Sequence, residues 1–168
     1  SDIGKRMNRA LASKVQELQR YRSEFFGRLR DILGSRPGVM VSGDRFVFQS
    51  EVLFASGAAE IGLDGQRQLA DLARTLINIS RDIPQEINWI LRVDGHTDTV
   101  PINTARFRSN WALSTARAVS VVNFLIEQGV PPRRLAAAGF GEYQPIDLAN
   151  TSTARARNRR IELKLDQL

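Results

Sequence analysis

From Leu11 the apolar positions fall at Leu11, Val15, Leu18, Phe25, Leu29 and Ile32, in alternating steps of four and three broken once by Arg22. That spacing is the seam of a coiled coil. Tyr21, Phe26 and Leu33 widen the stripe enough for an amphipathic helix lying on a domain, so the pattern admits both readings. Gly34, Pro37 and Gly38 end the helix and set the boundary between a linker segment, residues 1–36, and a domain, residues 37–168.

Beyond that boundary the period changes. Val39, Val41, Phe46 and Phe48 alternate about Ser42-Gly43-Asp44 as in a β-hairpin. Leu69, Leu72, Ala73, Leu76 and Ile77 then share one face of a helix that Asp64 is placed to cap and that ends before Pro84. A strand from Trp89 to Val93 runs into the polar string Asp94-Gly95-His96-Thr97-Asp98. Ser109 or Asn110 caps a long helix reaching Gln128, with a predicted core stripe of Trp111, Thr115, Ala118, Val122, Leu125 and Ile126. A strand from Leu135 to Phe140, a helical turn near 151–156 and a last strand with Ile161, Leu163 and Leu165 inward complete the chain. The expected fold is α+β: a two-layer sandwich of helices on a mixed β-sheet with a βαβαβ-type core, preceded by the N-terminal helix.

Composition removes several chemistries. The 168 residues include no cysteine, which excludes disulfides, a thiolate nucleophile and a cysteine-ligated metal, and the single His96 cannot build a multi-histidine site. No apolar run approaches the ~18 residues of a membrane-spanning helix. The chain opens on Ser1 without a signal segment, and we read it as a fragment whose targeting region has been removed. Of its 24 basic residues, nine lie within residues 1–36 against four acids there, and the remainder is nearly balanced. A second cluster, Arg155, Arg157, Arg159 and Arg160, is compatible with a phosphate patch, a carboxylate clamp or a solvated face.

At 100° per residue, Asn110, Leu113, Ser114 and Arg117 share one face of the long helix. The arginine side chain leans towards the helix N-terminus, where the Asp98 loop also ends. An acid and a guanidinium converging there suit a zwitterion, whose ammonium would meet the carboxylate and whose carboxylate would meet the arginine. The alternative is a structural salt bridge between Asp98 and Arg117. Ser114, His96 and Asp98 supply the residue types of a hydrolytic triad, but no nucleophile-elbow sequence accompanies them.

Gly95-His96-Thr97-Asp98, Ser109-Asn110-Trp111-Ala112-Leu113-Ser114, Ala116-Arg117-Ala118, Gly139-Phe140-Gly141, and Arg155 with Asn158-Arg159-Arg160-Ile161-Glu162 together resemble the OmpA-like peptidoglycan-binding domain. The resemblance covers about residues 45–166. Val100-Pro101-Ile102, Arg106-Phe107 and Phe54-Ala55-Ser56-Gly57 look most like its MotB branch. It implies binding without catalysis or cofactor, the ligand being the peptidoglycan stem peptide centred on meso-diaminopimelate. By motif position Asp98 meets the ammonium and Arg117 the carboxylate. Asn110 is a polar ligand at the helix start, Arg159 a second basic contact, and Thr97, Thr99 and Leu113 form the rim. Many members carry Asp or Asn where this chain has Ala55 to Gly57, so a polar contact from that loop is expected from backbone amides. The resemblance further implies a homodimer, an upstream membrane helix absent from this sequence, and the periplasm of a Gram-negative bacterium. A nucleic-acid-binding module is the competing reading, motivated by the basic N-terminal segment and the arginine cluster.

Overall fold

The computed structural model describes residues 2–168, with Lys14 described by its backbone alone. Helix α1 (Asp2–Leu33) divides into two halves with different surroundings. Leu18, Tyr21, Phe25, Phe26, Leu29 and Leu33 are buried in the main core, whereas Ile3, Met7, Leu11 and Val15 are exposed. The broad stripe, and not the strict seam, is what packs: Ile32 of the seam faces solvent while Leu33 is inside. Arg22, which interrupts the seam, donates from Nε to the Leu165 carbonyl at 2.8 Å and so ties the helix to the last strand.

Strands β1 (Val39–Ser42) and β2 (Arg45–Gln49) form the expected hairpin. Gly43, at φ +61°, takes the first central turn position, as a type II′ turn requires. A one-turn helix, α2 (Ser50–Leu53), follows and was not anticipated. Helix α3 (Leu63–Ser80) begins one residue after Gly62, which is its N-cap. Asp64 therefore does not cap it; the carboxylate sits in the first turn, where the helix dipole favours negative charge.

Strand β3 (Trp89–His96), helix α4 (Asn110–Glu127), strand β4 (Leu135–Gly139), helix α5 (Ser152–Asn158) and strand β5 (Arg160–Gln167) complete the fold. The sheet order is β1-β2-β5-β3-β4, with β3 and β4 parallel and every other pair antiparallel. The chain's last strand thus lies at the centre. Phe46, Phe48, Leu91, Val93, Ile161, Leu163 and Leu165 pack beneath the helices, burying the apolar members of each alternation. Their neighbours on the other face are charged: Arg92 binds Asp94 through two bonds of 3.0 Å, and Glu162 accepts from Arg45 and Arg160 at 2.6 Å each.

Helix α4 is phased differently from the expected stripe. Its buried residues are Asn110, Leu113, Ser114, Arg117, Ala118, Val121 and Leu125, while Trp111 and Thr115 are exposed. The cause is a close approach to the sheet at two glycines. A Cβ on Gly95 would collide with the Ser114 carbonyl, and one on Gly139 would stand 2.6 Å from Thr115 N and 2.7 Å from its Cα. With no side chains between them, strand ends and helix meet backbone to backbone. That contact sets which face of α4 turns inward.

Candidate functional site

The helix start and the end of β3 meet at a cavity of about 450 Å³. Ser109 caps α4 by accepting from Ala112 N at 3.1 Å, which places Asn110 at the first helical position. The Asn110 side-chain amide donates to the Val100 carbonyl at 3.1 Å and to the Asp98 carbonyl at 3.4 Å, holding the 98–100 loop against the helix. Thr97 Oγ1 donates to the same Asp98 carbonyl at 2.8 Å. Asp98 is buried, and its carboxylate accepts from Val100 N at 3.0 Å and from Arg159 Nη1 at 2.7 Å.

Asp98 and Arg117 line one cavity but do not pair. Arg117, only 5% exposed, donates from Nε to the Ala58 carbonyl at 2.8 Å and from Nη2 to the Ala55 carbonyl at 3.3 Å, with its guanidinium 5.0 Å from the centre of the Phe54 ring. Burial lowers its pKa, with Arg159 adding to the effect and Glu51 and Asp98 opposing it. Among the described residues no carboxylate forms a salt bridge with this guanidinium, which arginine chemistry nonetheless keeps charged. The loop at 55–58 thus contributes carbonyls that orient Arg117, while Ser56 and Gly57 of the same loop line the cavity.

The acid beside Asp98 was not anticipated. Arg159 forks between Asp98 and Glu51, whose Oε1 lies 2.6 Å from Nε. Burial works against the charged form of Arg159, but hydrogen bonds to both acids leave its pKa raised. Glu51 stands in α2, 108 residues from its partner, so no local pattern could have joined them. Thr97, Asn110, Leu113 and Arg159 line the cavity with Asp98 and Arg117; Thr99 is exposed and does not. Arg155, Ser56 and Gly57 are further lining residues.

The other constellations are not assembled. Ser114 Oγ donates to the Trp111 carbonyl and accepts from Gly141 N, so it bonds neither His96 nor Asp98. His96 stacks on Phe140 across the sheet from α4, beside Glu162. The arginine cluster is no open phosphate patch, because Arg157 pairs with Asp147, Arg159 with Asp98 and Glu51, and Arg160 with Glu162.

Residues 53–159 match the OmpA family. Motility protein B of Bacillus subtilis is 35% identical over 116 residues, which is 68% of this chain and 42% of that protein. The chain therefore spans less than half the length of such curated relatives. A MotB-like protein from Desulfovibrio vulgaris superposes with a TM-score of 0.77 at 30% identity, covering 94% of this chain and 95% of the other. The cell wall anchor of the T6SS from Pseudomonas aeruginosa does so with a TM-score of 0.70 at 29% identity, over 84% of this chain and 96% of that one.

Proposed function

The chain belongs to the OmpA family, and from that premise we propose that it binds the stem peptide of peptidoglycan, without catalysing a reaction, and so tethers a larger assembly to the cell wall. The observation that carries this reading is the separation of Asp98 from Arg117 within one cavity: a buried acid and a buried, salt-bridge-free guanidinium face the same space. Two such groups recognise the two ends of a zwitterion at once. Meso-diaminopimelate, with an ammonium and a carboxylate on the side chain it presents from the peptide, has that form.

The geometry also suggests how the charges are exchanged. Arg159 neutralises Asp98 across 2.7 Å. An incoming ammonium competes for the carboxylate, and Glu51 keeps hold of Arg159 while its other nitrogens turn to the ligand. Arg117, fixed by two carbonyls, needs no reorientation to receive the ligand's carboxylate. Arg117, Arg155 and Arg159 outnumber Asp98 and Glu51 around the cavity, which favours a ligand bearing an excess of carboxylates.

We extend the reading to the setting. The longer curated relatives support a parent protein with further segments, among them a membrane helix, and the likeness to the periplasmic domain of Helicobacter pylori MotB, at 26% identity, supports a place in the periplasm of a Gram-negative cell. Among the described residues no helix is long and apolar enough to cross a membrane. The exposed apolar stripe of α1 supports a homodimer.

The test is co-sedimentation with isolated sacculi of the wild-type chain, Asp98→Ala and Arg117→Ala, each checked for native circular dichroism. Wild type should pellet and both variants should lose at least tenfold in affinity, as expected for removing one partner of a charged, buried contact. Wild type that stays in solution, or that pellets only at low salt and equally with both variants, overturns the pocket and turns the test to nucleic-acid binding by the basic segment.

A further inference from the structure

Trp111 and Tyr143 lie outside the cavity, yet the fold mounts them firmly at the surface. Trp111 is 51% exposed and Tyr143 59%. Their rings stack with centroids 5.1 Å apart and planes inclined by 27°. Stacking uses one face of each ring and leaves the rest to water, which is an unfavourable way to keep two large aromatics unless something covers them.

The mount is rigid. Trp111 follows Asn110 in the first turn of α4, and Tyr143 stands two residues after Gly141. Gly141 N donates to the buried Ser114 Oγ at 3.0 Å, the Gly141 carbonyl accepts from Thr97 N at 2.9 Å, and Phe140 N donates to the Gly95 carbonyl at 2.9 Å. Gly141 has φ +61°, and a Cβ there would lie 3.4 Å from the Trp111 ring and 3.5 Å from that of Tyr143. The turn is therefore pinned to β3 and α4 and pressed close to both rings. Thr97 and Asn110, which touch this mount, also line the cavity.

We propose that the Trp111–Tyr143 pair is a carbohydrate-binding surface that takes a pyranose ring of the glycan strand; this rests on the stem-peptide reading of the cavity. A pyranose presents a C–H face that packs on an aromatic ring, while its hydroxyl and acetamido groups stay in water or meet the indole N–H and phenol O–H. The occupant follows from covalent connection. A peptide gripped at Asp98 and Arg117 joins its sugar a few residues away, and three extended residues reach about 10 Å. The domain would then hold its polymer at two chemically different places, one ionic and one apolar, and the second raises affinity by linkage to the first.

Two titrations test this on the full chain. In the first, calorimetry compares the free diaminopimelate-containing stem peptide with the same peptide carrying its disaccharide. Wild type should bind the disaccharide form about fivefold tighter, the size of a single aromatic packing contact. Trp111→Ala and Tyr143→Ala should bring that ratio to one while leaving the affinity for free peptide unchanged, whereas Asp98→Ala should lose both ligands. Tyr143→Ala, in an exposed turn, keeps the comparison valid if Trp111→Ala folds poorly. In the second, a β-1,4-linked N-acetylglucosamine oligomer is titrated against tryptophan fluorescence. Trp89 is buried, so a shift reports on Trp111, and Trp111→Phe should abolish it. A ratio of one in wild type with no fluorescence shift overturns the sugar surface even if the peptide binds. A shift without peptide binding overturns the cavity reading and leaves the sugar surface standing. A ratio that survives both aromatic variants assigns the sugar contact elsewhere and also overturns it.

Discussion

At the scale of the residue, charge is arranged on both faces of β3 for opposite ends. Asp98 and Arg117 are buried around one cavity without pairing with each other, whereas on the other face the charges are spent on one another. His96 is the exception there. It is enclosed beside Phe140, 3.5 Å from Glu162, and among the described residues neither ring nitrogen has a hydrogen-bond partner. Burial above all, with Arg160, Arg45 and Arg92 nearby, brings its pKa down to about 4 against the pull of Glu162. Between pH 6.5 and 4 the unfolded chain therefore takes up a proton that the native protein refuses, so acidification costs stability in that window. Arg45 and Arg160 hold the Glu162 pKa below the ordinary carboxylate value in spite of burial. Urea unfolding at pH 7 and pH 4.5 should show His96→Gln losing about 2 kcal/mol less than wild type on acidification. Parallel pH dependences would show that the imidazole does not titrate in this way.

At the scale of the element, the placing of α4 decides whether the cavity exists. Gly139 allows the helix to touch β4, so Gly139→Ala should cost about 1–3 kcal/mol through backbone displacement. Gly27, with open space around its would-be Cβ inside α1, should instead gain about 0.5–1 kcal/mol on change to alanine. Denaturant titration of the two variants distinguishes a glycine that packing requires from one that helix propensity alone would replace. The same helix shows where sequence reading reaches its limit. Its start at Ser109 and its shared face of Asn110, Leu113, Ser114 and Arg117 are local facts, legible from cap chemistry and from 100° per residue. Its rotation on the sheet is not local, because it depends on glycines in two other strands; hence Trp111 and Thr115 were expected inside and are outside. The hairpin and the inward residues of β5 were readable from alternation, and β3 from its mostly apolar run from Trp89 to Val93. That β5 lies between β2 and β3 was not, and with it went the meeting of Arg159 with Glu51 and Asp98. The resemblance to a family could place Arg159 near the ligand, but not the acid that holds it.

At the scale of the whole molecule, α1 joins two regimes in one continuous helix. From Leu18 onward it covers the sheet layer as part of the core, so the division at residues 36 and 37 marks the end of a helix and not the edge of a packing unit. Before Leu18 it runs about 24 Å, at 1.5 Å per residue, with Ile3, Met7, Leu11 and Val15 four residues apart on one side and in water. A second copy of the same stripe is the self-complementary surface that would bury these side chains. Removing residues 1–16 should therefore leave the melting temperature of the domain nearly unchanged, while removing residues 1–33 strips six core side chains and should unfold it. Sedimentation velocity separates the two roles of the helix: the full chain should be dimeric at micromolar concentration, and Leu11→Glu with Val15→Glu should be monomeric, with native circular dichroism and undiminished affinity for free stem peptide. A monomeric wild type would remove the dimer but not the core role of Leu18 to Leu33. With the dimer present, two cavities would act on one polymer, and binding to sacculi should fall much more steeply in the monomeric variant than binding to free peptide does, because avidity is lost without any change in the pocket.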